Sequence, residues 1–160
     1  MERPVHTTPI QYTERMRFKK GAHAVYKTEY HVVWTPRYRK KLFPKNLKRE
    51  AEEYLKHIPS LDPDIEVIAV AVQPDHIHMV IDIPPRVAVA DVIQFVKSQS
   101  ASTFKRKYGF MQRAIWGREG IWSRGYFVST VGVYEKTILA YVAHQDKEDR
   151  GQLQLELGRS

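Results

Sequence analysis

The 160-residue chain contains no cysteine, which excludes a disulfide framework, a thiolate-rich zinc site and a cysteine nucleophile, so any covalent chemistry must use another side chain. No uninterrupted apolar run approaches the roughly twenty residues that a membrane span requires, and Met1 to Lys20 has no apolar signal core. A cytoplasmic protein with no membrane partner is expected. Acid is scarce in two stretches: between Arg15 and Arg49 twelve Lys/Arg face the single acid Glu29, and between Lys97 and Arg124 seven face Glu119. With 26 basic and 18 acidic residues the net charge is +8, and its clustering points to a polyanionic partner, most simply nucleic acid. Trp34, Tyr38, Phe43, Tyr108, Trp116 and Trp122 interleave with this charge. Unpaired bases stack on such rings, which favours single strands over plain duplex, although core packing would account for several of the same rings.

The length fits one core rather than two. Residues 1–21 show no periodicity and read as an arm. Lys27 to Thr35, stopped by Pro36, reads as a strand and Arg37 to Lys41 as a basic loop. Leu47, Ala51, Tyr54, Leu55 and Ile58 recur at helical steps, predicting an amphipathic helix from Asn46 to Ile58. Ile65 to Val72 is nearly all apolar and short, so it reads as a central strand covered on both faces. Gln73-Pro-Asp75 then turns the chain into an antiparallel partner ending at Ile83. Val89 to Lys107 predicts a long helix with Val92, Ile93, Val96, Thr103 and Phe104 buried, and with Lys97, Lys105, Arg106 and Lys107 solvated or on nucleic acid. A basic loop over Trp116 to Gly125, a short strand over Tyr126 to Val131 and a helix over Tyr134 to Lys147 complete the order. That order is βαββαβ plus a terminal helix: an α+β, ferredoxin-like antiparallel sheet, one face covered by the first two helices and the other left for a site.

The strand Gln73 to Ile83 organises the rest. Ile77, Met79, Ile81 and Ile83 alternate with His76, His78, Val80 and Asp82, giving one apolar face and one face bearing two histidines. Residues two apart stand about 6.6 Å from each other along a strand, so the imidazoles lie side by side and each can offer a neutral nitrogen to one metal ion. Two ordinary surface histidines would give the same pattern. A His-x-His-x-His triad would need histidine at Val80, so a nucleotide hydrolase of that type is excluded. A two-histidine phosphoesterase would need paired His-x-Thr/Ser motifs, and only His6-Thr-Thr8 fits.

On the last helix Tyr134, Ile138 and Val142 form an apolar line, and Thr137, Tyr141 and Gln145 a polar one. The spacing alone is equally that of a boundary tyrosine beside a surface glutamine. Four ordered blocks add to it: Tyr30-His-Val-Val-Trp-Thr-Pro-Arg-Tyr-Arg-Lys-Lys41, Asp75-His-Ile-His-Met79, Ile121-Trp-Ser-Arg-Gly-Tyr-Phe-Val-Ser-Thr-Val-Gly132 and Tyr141-Val-Ala-His-Gln145. Together they resemble the HUH single-tyrosine transposases of the insertion sequence 200/605 group over roughly residues 26–147.

The resemblance implies a catalytic domain over 22–148 and a tail over 149–160. It also implies an enzyme that cleaves and rejoins single-stranded DNA with hairpin ends, working as a homodimer without a nucleotide cofactor. Tyr141 would be the nucleophile, forming a 5′-phosphotyrosine. His76, His78 and Gln145 would hold a divalent ion, Mg²⁺ or Mn²⁺. Arg37, Arg39, Lys40, Lys41, Arg113, Arg118 and Arg124 are the candidate DNA contacts. A related HUH nuclease acting on chromosomal palindromic repeats would share the chemistry, whereas a non-catalytic ferredoxin-like nucleic-acid-binding module would leave the histidines, Tyr141 and Gln145 as coincidences.

Overall fold

The computed structural model describes residues 19–21, 23–115, 120–130 and 135–157, and within the last stretch the side chains of 139–151. Strands β1 (Lys19–Lys20) and β2 (Val25–Tyr26) pair antiparallel. The end of the expected arm is therefore structured, and Lys19 Nζ lies 3.3 Å from Glu66 and 3.4 Å from Asp82 of the main sheet. The rest of the arm, with His6-Thr-Thr8, lies outside the described residues.

The main elements follow as β3 (Glu29–Trp34), α1 (Lys45–Lys56), β4 (Glu66–Gln73), β5 (His76–Asp82), α2 (Val89–Lys107), a short α3 (Gly109–Ala114), β6 (Phe127–Ser129) and α4 (Glu135–Leu157). The sheet order is β4-β5-β3-β6 with every pair antiparallel, so the expected ferredoxin-like α+β architecture is the one observed. The strand expected to be central, β4, is instead an edge strand whose residues are mostly half-buried. Its apolar run misleads because Ala69 and Ala71, opposite Val80 and His78, occupy the second face and need no cover. A register shift between Val67 and Ala69 further breaks the alternation.

One face is the core. Val32 and Trp34 of β3 and Ile77, Met79 and Ile81 of β5 pack with Ala51 and Leu55 of α1 and Val92, Ile93, Val96 and Phe104 of α2. Helix α2 starts near Asp91 and ends on Lys105, Arg106 and Lys107, charges that suit the two ends of its dipole. Its buried stripe includes Ser100 rather than Thr103, because the Trp122 indole enters the core and donates Nε1–H to Ser100 Oγ at 3.0 Å. Thr103 instead receives the Tyr54 hydroxyl at 2.9 Å. Trp122 meets Trp34 edge-on and stacks on Phe43, both at 5.9 Å between centroids. Trp34, Phe43, Tyr108 and Trp122 are thus buried core residues and not platforms for bases; Trp116 lies outside the described residues.

The last helix is longer than its periodicity predicts. The expected tail from residue 149 is a continuation of α4 to Leu157, and Asp149 is 2% exposed. The structure gives Asp149 buried partners.

Candidate active site on the second sheet face

Directly paired residues of antiparallel strands place their side chains on one face. Val33 pairs with both His78 and Phe127, so His78, Val33 and Phe127 form a row across β5, β3 and β6. His31 and Val80 pair one step along on the same face. Val142 of α4 buries against Val33, with Phe127 and Tyr141 packed around them, and the Phe127 and Tyr141 rings are 5.9 Å apart. The polar line of α4 therefore turns toward the histidine face of its own sheet. Tyr141 is half-buried and Gln145 is 5% exposed, which the surface-glutamine reading does not predict.

The Tyr141 hydroxyl donates to Gln145 Oε1 at 3.4 Å. Burial, followed by the nearby charges of Glu148 and Asp149, pushes the Tyr141 phenol up to about 12. It is protonated at neutral pH, and its use as a nucleophile requires proton removal. Gly125, just before β6, has φ +83 in the left-handed region and lies directly under Gln145: a Cβ there would sit 3.7 Å from Oε1.

The two predicted histidines differ in surroundings. His78 is half-buried rather than open, and burial, then the charges of His31 and His76, depress it to about 4. Its Nε2 lies 3.4 Å from His31 Nδ1, with ring centroids 5.6 Å apart. His31 is lowered by burial too, so the pair favours the neutral imidazoles that a metal needs. His76 Nδ1 faces Asp75 Oδ1 at 3.0 Å, and Asp75 Oδ2 receives Arg39 Nε at 3.0 Å. The hydrogen bond from His76, with the Arg39 charge behind it, holds the Asp75 carboxyl below its ordinary range. A carboxylate on Nδ1–H fixes the tautomer and leaves Nε2 as the coordinating nitrogen.

Two imidazoles and the amide oxygen of a buried glutamine are a donor set that fits a hard-to-borderline divalent ion. Among the described residues no three His, Asp or Glu side chains gather as a ligand group, so such an ion would need the amide. Asp75→Asn is expected to weaken Mn²⁺ binding by roughly 10–100-fold, measured by titration calorimetry. Unchanged affinity would mean that Asp75 does not orient His76.

The candidate DNA contacts separate. Arg37 is 8% exposed and its Nε donates to the Gly120 carbonyl at 3.4 Å, so little of its side chain reaches the surface. Its place beside Pro36, whose backbone bridges to Trp122, pulls it inward. Arg39 is half-exposed and committed to Asp75. Lys40, Lys41, Arg113 and Arg124 are exposed, and Arg118 lies outside the described residues.

Sequence reasoning missed the structural roles of four polar residues. His31 lies within the block Tyr30 to Lys41, and its alternation with Val33 on a strand pairing with β5 was the available signal. Lys97, expected to be solvated, donates to the carbonyls of Ser123 and Gly125 at 2.8 Å each, and burial, with Arg37 adding repulsion, lowers it to about 8. Ser123 and Asp149, discussed below, had no local signal.

The family model described as "Transposase IS200 like" matches residues 24–145. The transposase for insertion sequence element IS200 of Salmonella typhimurium is 30% identical over 139 residues, covering 87% of this chain and 90% of the relative. The ISDra2 transposase TnpA of Deinococcus radiodurans is 30% identical over 135 residues, covering 83% and 95%. A crystal structure of a transposase candidate from Deinococcus radiodurans R1 superposes with a TM-score of 0.70 at 27% identity, covering 79% of this chain and 97% of that one.

Proposed function

Because the chain belongs to the IS200-like transposase family, we propose that it cleaves and rejoins single-stranded DNA at the hairpin-bearing ends of a mobile element, with Tyr141 as nucleophile. The observation that carries the proposal is the docking of the Tyr141–Gln145 line onto the face that bears His76 and His78. In the first step Tyr141 Oη bonds to phosphorus, the bond from phosphorus to the 3′ oxygen breaks, and the phenol proton leaves to solvent while the departing 3′ oxygen is protonated. The product is a 5′-phosphotyrosine with a free 3′-hydroxyl. The phosphodiester energy is retained in the tyrosyl ester, so a second 3′-hydroxyl can reverse the step onto a new partner without ATP.

Gln145 Oε1 accepts the phenol hydroxyl and holds its oxygen on the sheet face. Asp75 orients His76, and His31 contacts His78. When bound by His76, His78 and Gln145, a Mg²⁺ or Mn²⁺ ion would supply Lewis-acid polarisation of the scissile phosphate. Lys40, Lys41, Arg113 and Arg124, all exposed, are the side chains proposed to meet the backbone of the strand. End-labelled single strands carrying hairpins, incubated with protein and Mn²⁺, should yield a covalent protein–DNA band on a denaturing gel. Binding should weaken by about 0.7 log units per log unit of salt for each phosphate contacted. Equal affinity for perfect duplex and a flat salt response would contradict the single-strand reading.

The same reading makes the working unit a homodimer in which the tyrosine helix is exchanged. Within one chain α4 lies on its own sheet, and an exchanged helix would form these contacts between subunits instead. Mixing Tyr141→Phe with His76→Ala protein, each inactive alone, should restore cleavage in the exchanged arrangement. Heterodimers that form and never cleave would place the whole site in one chain.

A further inference from the structure

Asp149 is a carboxylate almost without solvent contact, at 2% exposure, and a buried carboxylate demands partners. It accepts the Tyr38 backbone N–H at 3.0 Å and the Ser123 hydroxyl at a shorter distance. Ser123, itself 2% exposed, receives the hydroxyl of Thr35 at 3.0 Å. The Lys97 ammonium is near enough that Asp149 raises its pKa against the effects of burial and Arg37.

The amide that Asp149 holds belongs to an unusual turn. Tyr38 and Arg39 have φ of 58 and 52, both left-handed and neither glycine, a conformation that persists only where its surroundings over-determine it. Asp149 grips the first of these residues, and Asp75 pairs with the second at 3.0 Å. Asp75 is also the partner of His76. One turn is thus tied on one side to the tyrosine helix and on the other to a histidine of the proposed metal site.

Among the described residues Val142 is the buried hydrophobic side chain of α4, and Leu139 is 52% exposed. Among the described residues the helix packs on the 37–39 turn. Tyr141, Gln145 and Asp149 follow at four-residue steps along one stripe, so fixing Asp149 fixes the rotation with which the other two meet the sheet.

We propose that Asp149 is a positioning residue for the tyrosine helix, its grip on the Tyr38 amide and the Ser123 hydroxyl setting the register of Tyr141 and Gln145 over the histidine face. The proposal rests on Tyr141 being the nucleophile, and its test has one arm that does not. In DNA-free protein, Asp149→Ala should make the Tyr38 amide exchange at least about tenfold faster by local opening. Asp149→Asn, which keeps an oxygen for that amide, should retain most of the protection. In single-turnover reactions the alanine variant should bind hairpin strands as wild type does and form the adduct roughly a hundredfold more slowly, the scale of an ångström-sized misplacement. The asparagine variant should recover much of that rate.

Ser123→Ala removes one partner and leaves the carboxylate; it should accelerate Tyr38 exchange by less and slow adduct formation by less, which keeps the proposal decidable if Asp149→Ala does not fold. Unchanged Tyr38 exchange in both the alanine variants, or faster exchange with a wild-type rate of adduct formation, would overturn it. An inactive wild type would sink the tyrosine reading alone, because the exchange measurement still decides the anchor.

Discussion

Tyr141→Phe is expected to bind hairpin single strands as tightly as the wild type and to form no covalent adduct, a loss of roughly 10⁴-fold or more for removal of an essential nucleophile. The separation follows from the packing. The ring stays, so its contact with Phe127 and its place beside Val142 and Val33 are kept. The lost hydroxyl made a long 3.4 Å bond to Gln145, and such a bond contributes no more than about 0.5–1.5 kcal/mol to stability. Wild-type chemistry should also carry a pH signature. The phenol sits at about 12, so between neutral and mildly alkaline pH its reactive phenolate fraction rises about tenfold per unit. Adduct formation followed at several pH values, together with filter binding of both proteins, checks each part. A Phe variant that still becomes labelled would move the chemistry to another tyrosine, with Tyr126 and Tyr134 first in line.

His78→Ala is expected to abolish cleavage and to weaken Mn²⁺ binding strongly, and in addition to destabilise the fold by about 1 kcal/mol, typical of a partly buried side chain. The stability effect arises because His78 is half-buried beside Val33 and His31 rather than standing on an open surface. The folded-state pKa of about 4 lies below the ordinary 6.5, so the unfolded chain takes up the proton first. The stability contributed by the neutral ring is complete above about 6.5 and is lost as pH falls through about 4. Denaturant titrations of metal-free protein should show this decline, and His78→Ala should flatten it. A variant that cleaves normally would remove His78 from the site; an acid profile identical to wild type would mean that its burial does not matter to the fold.

The histidine strand was legible because its period of two survives in the sequence: every residue from His76 to Asp82 faces the side that its alternation assigns. Helices α1 and α2 were legible for the same reason at a period near four. Strand β4 was placed correctly in the chain and wrongly in the sheet, since an alanine face reads as apolar and only pairing reveals that it is half-covered. The basic loop exposes a similar limit. Arg37 and Arg39 look like phosphate contacts when counted as charge, but a carbonyl and a carboxylate from distant segments claim them. Asp149 was illegible for the strongest reason: its partners are a backbone amide and a serine hydroxyl, 111 and 26 residues away along the chain. No periodicity records a bond of that kind.

The most direct test of the central claim is to digest the covalent protein–DNA complex formed in Mn²⁺ and to locate the nucleotide-bearing residue by mass spectrometry. The expected result is a single modified peptide in which Tyr141 carries the 5′-phosphoryl group; modification of any other residue, or cleavage of the strand with no protein-linked product, would contradict it.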